Sequence, residues 1–362
     1  MLADGCPLAG CFCLYKNMKP IRETYTFDDV LLLPRRSAIF SRKDVSLRSQ
    51  FSKNIFLDVP IVSANMDTVT EAAMASAMAE AGSLGIIHRF LTIERQAEEV
   101  RKVKQKNAKL LVGAALGVKE DAIDRARALL DAGVDVLVVD IAHGHNERAL
   151  DTVRMLKQRF LGCEVVGGNV ATAAGAHDLI HAGVDGIKVG IGPGAACITR
   201  IVTGVGVPQL SAIMDTAAIA KKYRIPIIAD GGIRNSGDVA KALAAGASSI
   251  MAGSLFAGTD EAPGASLLHG DVRYKAYRGM ASAAAAGWKQ NNDFYRSPEG
   301  TSGEVPYRGT AQSVVDDFAS GLRSSMSYMG ARTIPEFQKN AEFVRITHAS
   351  LTESHSHDMT IK

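Results

Sequence analysis

The segment KLLVGAALGVKEDAIDRARALLDAGVDVLVVDI, residues 109–141, decides the fold. Its two ends, Lys109–Leu116 and Val134–Ile141, are near-continuous runs of Val, Leu, Ala and Gly, as strands buried on both faces require. Its middle, 119–132, carries an amphipathic helical pattern. Strand, helix and strand in this order make a parallel pair joined by a right-handed crossover.

The same pattern repeats in both directions. Further strand runs lie at Pro60–Ala64, Leu84–His88, Glu164–Val170, Gly186–Gly190, Ile225–Asp230 and Ser249–Gly253. Helical patterns lie at 70–81, 92–106, 146–159, 172–182, 211–222 and 236–246. Three phrases echo one another: Asp131-Ala-Gly-Val-Asp135, His181-Ala-Gly-Val-Asp185 and Ala244-Ala-Gly-Ala-Ser248. Each reads as a helix end, a capping glycine and the entry to the next strand. Eight such strands predict a closed (β/α)8 TIM barrel; an open doubly wound sheet is the alternative. After Ala257 the alternation stops. Residues 271–310 read as a flap insertion after the eighth strand, and loops of that length serve as lids. A helical pattern from Ala311 to Leu322 then completes the barrel. The expected organisation is a leader (1–20), one barrel domain (21–362) and a solvated or subunit-contact tail holding His355 and His357.

Composition narrows the function. The 362 residues suit two average domains or one large α/β barrel. A net charge of +3 leaves no footprint for nucleic acid or a membrane surface. No run of 18 apolar residues is present, so no membrane-spanning helix is expected, and the first 20 residues lack the pattern of a signal peptide. Cys6, Cys11 and Cys13 crowd the leader, while Cys163 and Cys197 lie in the body. An odd, front-loaded count fits a reducing cytoplasm. No second ligand cluster accompanies the leader cysteines, so the leader reads as an extension, or as sequence upstream of a start at Met18, before it reads as a metal site.

In a barrel, functional groups gather at the C-terminal ends of the strands. Those ends carry Ser63-Ala-Asn65-Met-Asp67, His88-Arg89, Asp140-Ile-Ala-His143-Gly-His145, Gly167-Gly-Asn169, Asp230-Gly-Gly232 and Gly253-Ser254. The sixth strand runs into Val189-Gly-Ile-Gly-Pro-Gly-Ala-Ala-Cys197-Ile-Thr-Arg200. Glycines there let backbone N–H groups approach an anion or a flat ring. A cysteine set among such dipoles is the environment in which a thiol becomes a nucleophile. The seventh and eighth strand ends are the usual phosphate corner, and a carboxylate at Asp230 suits the two hydroxyls of a ribose. A nucleoside monophosphate is the natural ligand.

Four motifs together, Gly190-Ile-Gly-Pro-Gly-Ala-Ala-Cys-Ile-Thr-Arg200, Thr203-Gly-Val-Gly-Val-Pro-Gln209, Ala229-Asp-Gly-Gly-Ile233 and Tyr277-Arg-Gly-Met280, resemble the IMP dehydrogenase/GMP reductase family. The resemblance runs from about Tyr25 to Lys362. It implies a TIM barrel, a homotetramer, a purine nucleotide substrate (GMP or IMP) and a nicotinamide cofactor. By resemblance Cys197 adds to purine C2 as a covalent thioimidate, with Thr199 and Glu299 as the proton relay. Ser63, Asp230, Gly232, Gly253, Ser254, Tyr277, Gly279 and Met280 would hold the nucleotide. Asp140, Ala142 and Asn169 would line the cofactor side. In the dehydrogenases K⁺ sits on loop carbonyls, here those of Gly192, Gly194 and Cys197, with a neighbour's Glu353, Ser354 and His355. Two positions depart from the family: Ala195 stands where Ser is usual, and Arg89 where the reductases have Lys. The regulatory tandem (CBS) domain common in the dehydrogenases has no counterpart, since helix 92–106 runs directly into the strand at Lys109.

The family divides by how the adduct is resolved. Dehydrogenases hydrolyse it with an Arg-Tyr pair in an Arg-Tyr-Phe-Gln-like flap motif. Reductases expel ammonia and use NADPH. Here residues 283–298 are AAAAGWKQNNDFYRSP, short and without that motif, and Tyr295-Arg296 is in reverse order. The flap resembles a reductase, whereas Gly204-Val-Gly-Val-Pro-Gln209 and Glu353-Ser-His-Ser-His-Asp358 resemble bacterial dehydrogenases. The flap carries the step that differs, so the resemblance implies a GMP reductase using NADPH, with IMP dehydrogenase using NAD as the alternative.

Overall fold

The computed structural model describes residues 20–286 and 297–356. The leader cysteines, Met18, Tyr295-Arg296 and His357 fall outside the described residues.

Each strand run forms a parallel strand, trimmed by up to three residues at an end. In chain order they are β1 (Ile61–Ser63), β2 (Leu84–Ile87), β3 (Val112–Leu116), β4 (Val136–Asp140), β5 (Glu164–Val170), β6 (Gly186–Val189), β7 (Ile227–Asp230) and β8 (Ser249–Ala252). Neighbours pair in parallel, and β8 returns to β1 in the register Ile250↔Ile61, Ala252↔Ser63. That pair closes the barrel and excludes the open sheet. Between the strands run α1 (Ala72–Glu80), α2 (Ile93–Lys106), α3 (Ala122–Asp131), α4 (Glu147–Arg159), α5 (Ala173–Ala182), α6 (Gln209–Tyr223) and α7 (Ser236–Ala244). A last helix, α8 (Ala311–Tyr328), packs on α7 and α1 and completes the ring. Among the described residues no helix is long and apolar enough to cross a membrane.

The repeated phrases do repeated work. Gly133, Gly183 and Gly246 turn with φ of 92°, 104° and 116°, which lets each helix end and its chain re-enter the barrel. In two copies the closing aspartate has the same partners. Asp135 accepts from Val112 N and Lys104 Nζ, both at 2.7 Å. Asp185 accepts from Val165 N at 2.9 Å and Lys157 Nζ at 2.7 Å. Each aspartate, just before one strand, thus ties down the start of the preceding strand and the helix that leads into it. Side-chain caps start the helices: Thr92, Asn146, Thr172, Asn235 and Thr310 each accept the N–H three residues on.

Side chains alternate across each strand. Val62, Leu84, Ile86, Ala115, Val136, Val138, Val166, Ile228 and Met251 pack together inside the barrel. Their neighbours, Ile61, Ile87, Leu137, Val139, Ile187, Val189 and Ile250 among them, belong to the layer shared with the helices. Phe51 and Leu57, from a small hairpin (Ser49–Gln50 with Phe56–Leu57), join the inner cluster. The Phe51 carbonyl lies beside Gly186, the first residue of β6, so this hairpin plugs the N-terminal end. The opposite end is left for the site.

Two segments differ from expectation. The insertion begins earlier, at Ser266, and holds an antiparallel sheet: β9 (Ser266–His269), β10 (Val272–Arg278) and β11 (Ser302–Pro306). The buried face of β10 is made by Lys275 and Tyr277, so no apolar alternation announces it. The tail is ordered where Phe343–Arg345 pairs antiparallel with Val30–Leu32.

Candidate active site

The C-terminal strand ends surround a cavity of about 390 Å³, within the range of small-molecule sites. The cysteine loop forms one wall. After β6 the chain turns at Gly190 (φ 148°), where a Cβ would lie 2.1 Å from the Asp230 carbonyl oxygen, so only glycine fits. Cys197 N donates to Gly194 O at 2.9 Å, which folds the loop on itself. The Cys197 thiol faces Thr199 Oγ1 at 3.2 Å, and Thr199 Oγ1 donates to Glu299 Oε2 at 2.9 Å.

Glu299 is held there by backbone. Ile198 N donates to Glu299 O and Thr301 N to Ala196 O, each at 2.9 Å, and Cys197 bridges Gly300. Gly279 N reaches Thr301 O at 2.9 Å, which fastens the same strip to the end of β10. Arg278 grips Asp67 after β1 with Nε at 3.1 and 3.0 Å from its two oxygens. Met280 Sδ accepts from Asp67 N at 3.4 Å.

The opposite wall is charged. Asp140, Lys188 and Asp230 occupy inward positions at the ends of β4, β6 and β7. Lys188 Nζ lies 2.7 Å from Asp140 Oδ1 and 2.8 Å from Asp230 Oδ2, and it hydrogen-bonds Asn169 Oδ1. Asn169 Nδ2 donates to Asp230 Oδ2 at 2.9 Å and to Gly190 O at 2.8 Å. A register irregularity in β5 between Gly168 and Val170 aims Asn169 into this group. Burial works against the Asp140 charge, but Lys188, then Arg89 and Asn65, hold its carboxyl below the usual range. Burial likewise opposes the Lys188 ammonium, and the two carboxylates hold it above the usual lysine range.

The floor at the seventh and eighth strand ends is backbone. Gly231 and Gly232 both turn with positive φ. A Cβ on Gly253 would meet Met66 Sδ and Tyr277 Oη at 2.9 Å, so the glycine leaves a cradle beside the phenol. Among the described residues no group accepts from the N–H of Gly232, Gly253 or Ser254. Burial, then Asp230 and Cys197, push the Tyr277 phenol above its usual range and keep it a neutral donor.

Residues 24–357 match the family model described as IMP dehydrogenase / GMP reductase domain. The chain belongs to the IMP dehydrogenase/GMP reductase family. An inosine-5'-monophosphate dehydrogenase of Cryptosporidium parvum is 43% identical over 95% of this chain and 97% of its own length. One from Nitrosopumilus maritimus is 41% identical over 94% and 99%. A GMP reductase of Leishmania major is 36% identical over 95% and 99%. The Nitrosopumilus and Leishmania alignments run over 474 and 485 positions, more than this chain has residues, so both relatives carry segments it lacks. Length therefore does not separate the two names. The chain is a purine-nucleotide oxidoreductase of this family, and its cofactor is a nicotinamide dinucleotide.

Of the residues singled out in the sequence, the cavity is lined by Cys197, Thr199, Glu299, Asp230, Gly232, Gly253, Ser254, Tyr277, Gly279, Met280, Asp140, Ala142, Asn169, Gly192 and Gly194. Ser63 is a correction. It is fully buried, accepts from Thr70 Oγ1 at 2.9 Å, and does not line the cavity. The cause is parity: Ser63 shares the outward face of Ile61, while Val62 points inward. His88 and His145 also turn away, to Glu71 (3.2 Å) and Asp178 (2.8 Å). Lys188 is the residue that sequence reading missed. Its signal was a lone charge inside the apolar run Gly186–Gly190, one residue before its last valine.

The wall also fits a cofactor. Arg89 Nε is buried without a partner among the described residues and lines the cavity, so an acceptor on a bound molecule would complete it. Among the described residues no group of three His, Cys, Asp or Glu side chains is placed to hold a metal ion. Carbonyl ligands for K⁺ are a separate matter: Gly194 O already receives Cys197 N, which leaves one lone pair for an ion.

Proposed function

We propose that the protein is a GMP reductase, converting GMP to IMP and ammonia with NADPH. The observation that carries this reading is the contact chain Cys197–Thr199–Glu299 at the base of a short flap. Cys197 Sγ adds to purine C2 while the ring nitrogen beside it takes a proton. Glu299, through Thr199 Oγ1, then gives the C2 amine the proton with which it leaves as ammonia. Asp230 accepts from the ribose hydroxyls, and the Gly232, Gly253 and Ser254 amides with Tyr277 Oη hold the phosphate. Bound NADPH supplies the hydride that takes the place of the amine at C2. The C2–Sγ bond then breaks as the ring nitrogen returns its proton to Sγ, which frees the Cys197 thiol and releases IMP. A dehydrogenase must instead activate water, and residues 283–298 contain no Arg-Tyr pair in that order.

The second reading is IMP dehydrogenase, oxidising IMP to XMP with NAD. Higher identity to relatives of that name favours it, as does Arg89 in place of the reductase lysine. The decisive assay follows absorbance of the reduced cofactor with GMP plus NADPH and, separately, with IMP plus NAD. Oxidation of NADPH with ammonia release is expected. Steady turnover with IMP and NAD alone would overturn the reading. A homotetramer, a cytoplasmic location, a barrel domain over 21–362 and K⁺ on the Gly192, Gly194 and Cys197 carbonyls belong to the same proposal.

A further inference from the structure

Lys188 breaks every local rule of its strand. It stands in β6 between Ile187 and Val189, and its side chain is 2% exposed. Buried lysines are rare unless paired, and this one uses its three donors on Asp140, Asp230 and Asn169. Stability does not explain it, since apolar replacement of a buried ion pair is often neutral or stabilising. Its partners lie on the two halves of the cavity: Asp230 beside the glycine floor, Asp140 beside Arg89 and Ala142.

The geometry points to Lys188 as a positioning residue that holds Asp140 and Asp230 as one charged unit and so couples the nucleotide half of the cavity to the cofactor half. The inference rests on the proposed function, in which Asp230 takes the ribose and Asp140 faces the cofactor. A ribose that draws Asp230 toward its hydroxyls loosens that carboxylate's hold on the ammonium and shifts Lys188 toward Asp140. The nucleotide thereby reorganises the wall the cofactor meets. The charged and titratable groups facing the unit are Arg89 next to Asp140 and Tyr277 next to Asp230, with Cys197 acting on the same phenol. Without the ammonium, two carboxylates would share one pocket, a pairing in which like charges resist joint ionisation.

The test is steady-state kinetics across the neutral pH range. Lys188→Met should raise KM for nucleotide and for cofactor together by about tenfold. Its acid limb should move up by about one pH unit or more. Lys188→Met combined with Asp140→Asn should bring the acid limb back near wild type, because one carboxylate is gone, while the cofactor KM stays high. A folded Lys188→Met with the wild-type acid limb, or one that changes kcat alone, overturns the inference. Where thermal melting shows that Lys188→Met does not fold, Asp140→Asn decides, since it keeps the lysine. Coupling requires its nucleotide Kd, measured without cofactor, to change by about threefold or more; an unchanged Kd overturns the inference. Wild-type protein inactive with both nucleotide–cofactor pairs overturns the proposed function and this inference with it, whereas active wild type with an unmoved acid limb overturns this inference alone.

Discussion

The two walls of the cavity are held by different forces. Cys197 and Glu299 stand on loops and Thr199 opens the short helix Thr199–Thr203, and these segments are joined by backbone bonds between Ile198 and Glu299 and between Thr301 and Ala196. Asp140, Lys188 and Asp230 stand on three barrel strands and are joined by charge. Loops fastened by a few backbone bonds open at low free-energy cost, as a site that must admit a nucleotide needs. Strand ends locked in a closed barrel hold the backbone beneath these charges, so a bound nucleotide can move only their side chains. The reactive wall has an adjustable backbone and the charged wall a fixed one.

The largest expected effect breaks the adjustable wall at its nucleophile. Cys197→Ser should abolish turnover and the nucleotide adduct seen by mass spectrometry, while nucleotide binding persists on the fixed wall and floor. Retained turnover would remove Cys197 from the chemistry. Next, Glu299→Gln should lower turnover by about 10²–10⁴-fold, the usual worth of a positioned acid–base group, with little change in nucleotide KM. Unchanged ammonia release from GMP would sink the relay.

The smallest effect probes the fixed wall through stability. Lys188, then Arg89 and Asn65, outweigh the burial that opposes the Asp140 charge, so its folded carboxyl stays below the ordinary range. Its contribution to stability is therefore present at neutral pH and is lost as the pH falls through and below the ordinary carboxylate range. Lys188, held above its usual range, contributes fully at neutral pH and loses that contribution only under strongly alkaline conditions. Asp140→Asn should lose less melting temperature on acidification than wild type, by about 2–4 °C. Equal acid loss in both proteins would mean that charge does not hold this wall.

Much of the barrel was legible because buried parallel strands write themselves as apolar runs, and the glycines closing α3, α5 and α7 mark each return to the sheet. The β10 strand was hidden because Lys275 and Tyr277, not aliphatic residues, make its buried face. The glycine floor and the cysteine loop were legible for a different reason. Positive φ and close backbone approach demand glycine, and that demand is visible in one dimension.

By itself the sequence determined the eight-fold alternation, the cysteine loop after the sixth strand, and the family these motifs denote. Only the tertiary structure decided which face each strand residue takes. Ser63 went outward and Lys188 inward, because a period of two makes a side chain's direction depend on register in the closed barrel and not on residue type. It also brings Glu299 to Thr199 a hundred residues away, a pairing the sequence carried only through the family resemblance, since a contact that long is made by backbone pairing between two loops and leaves no local pattern.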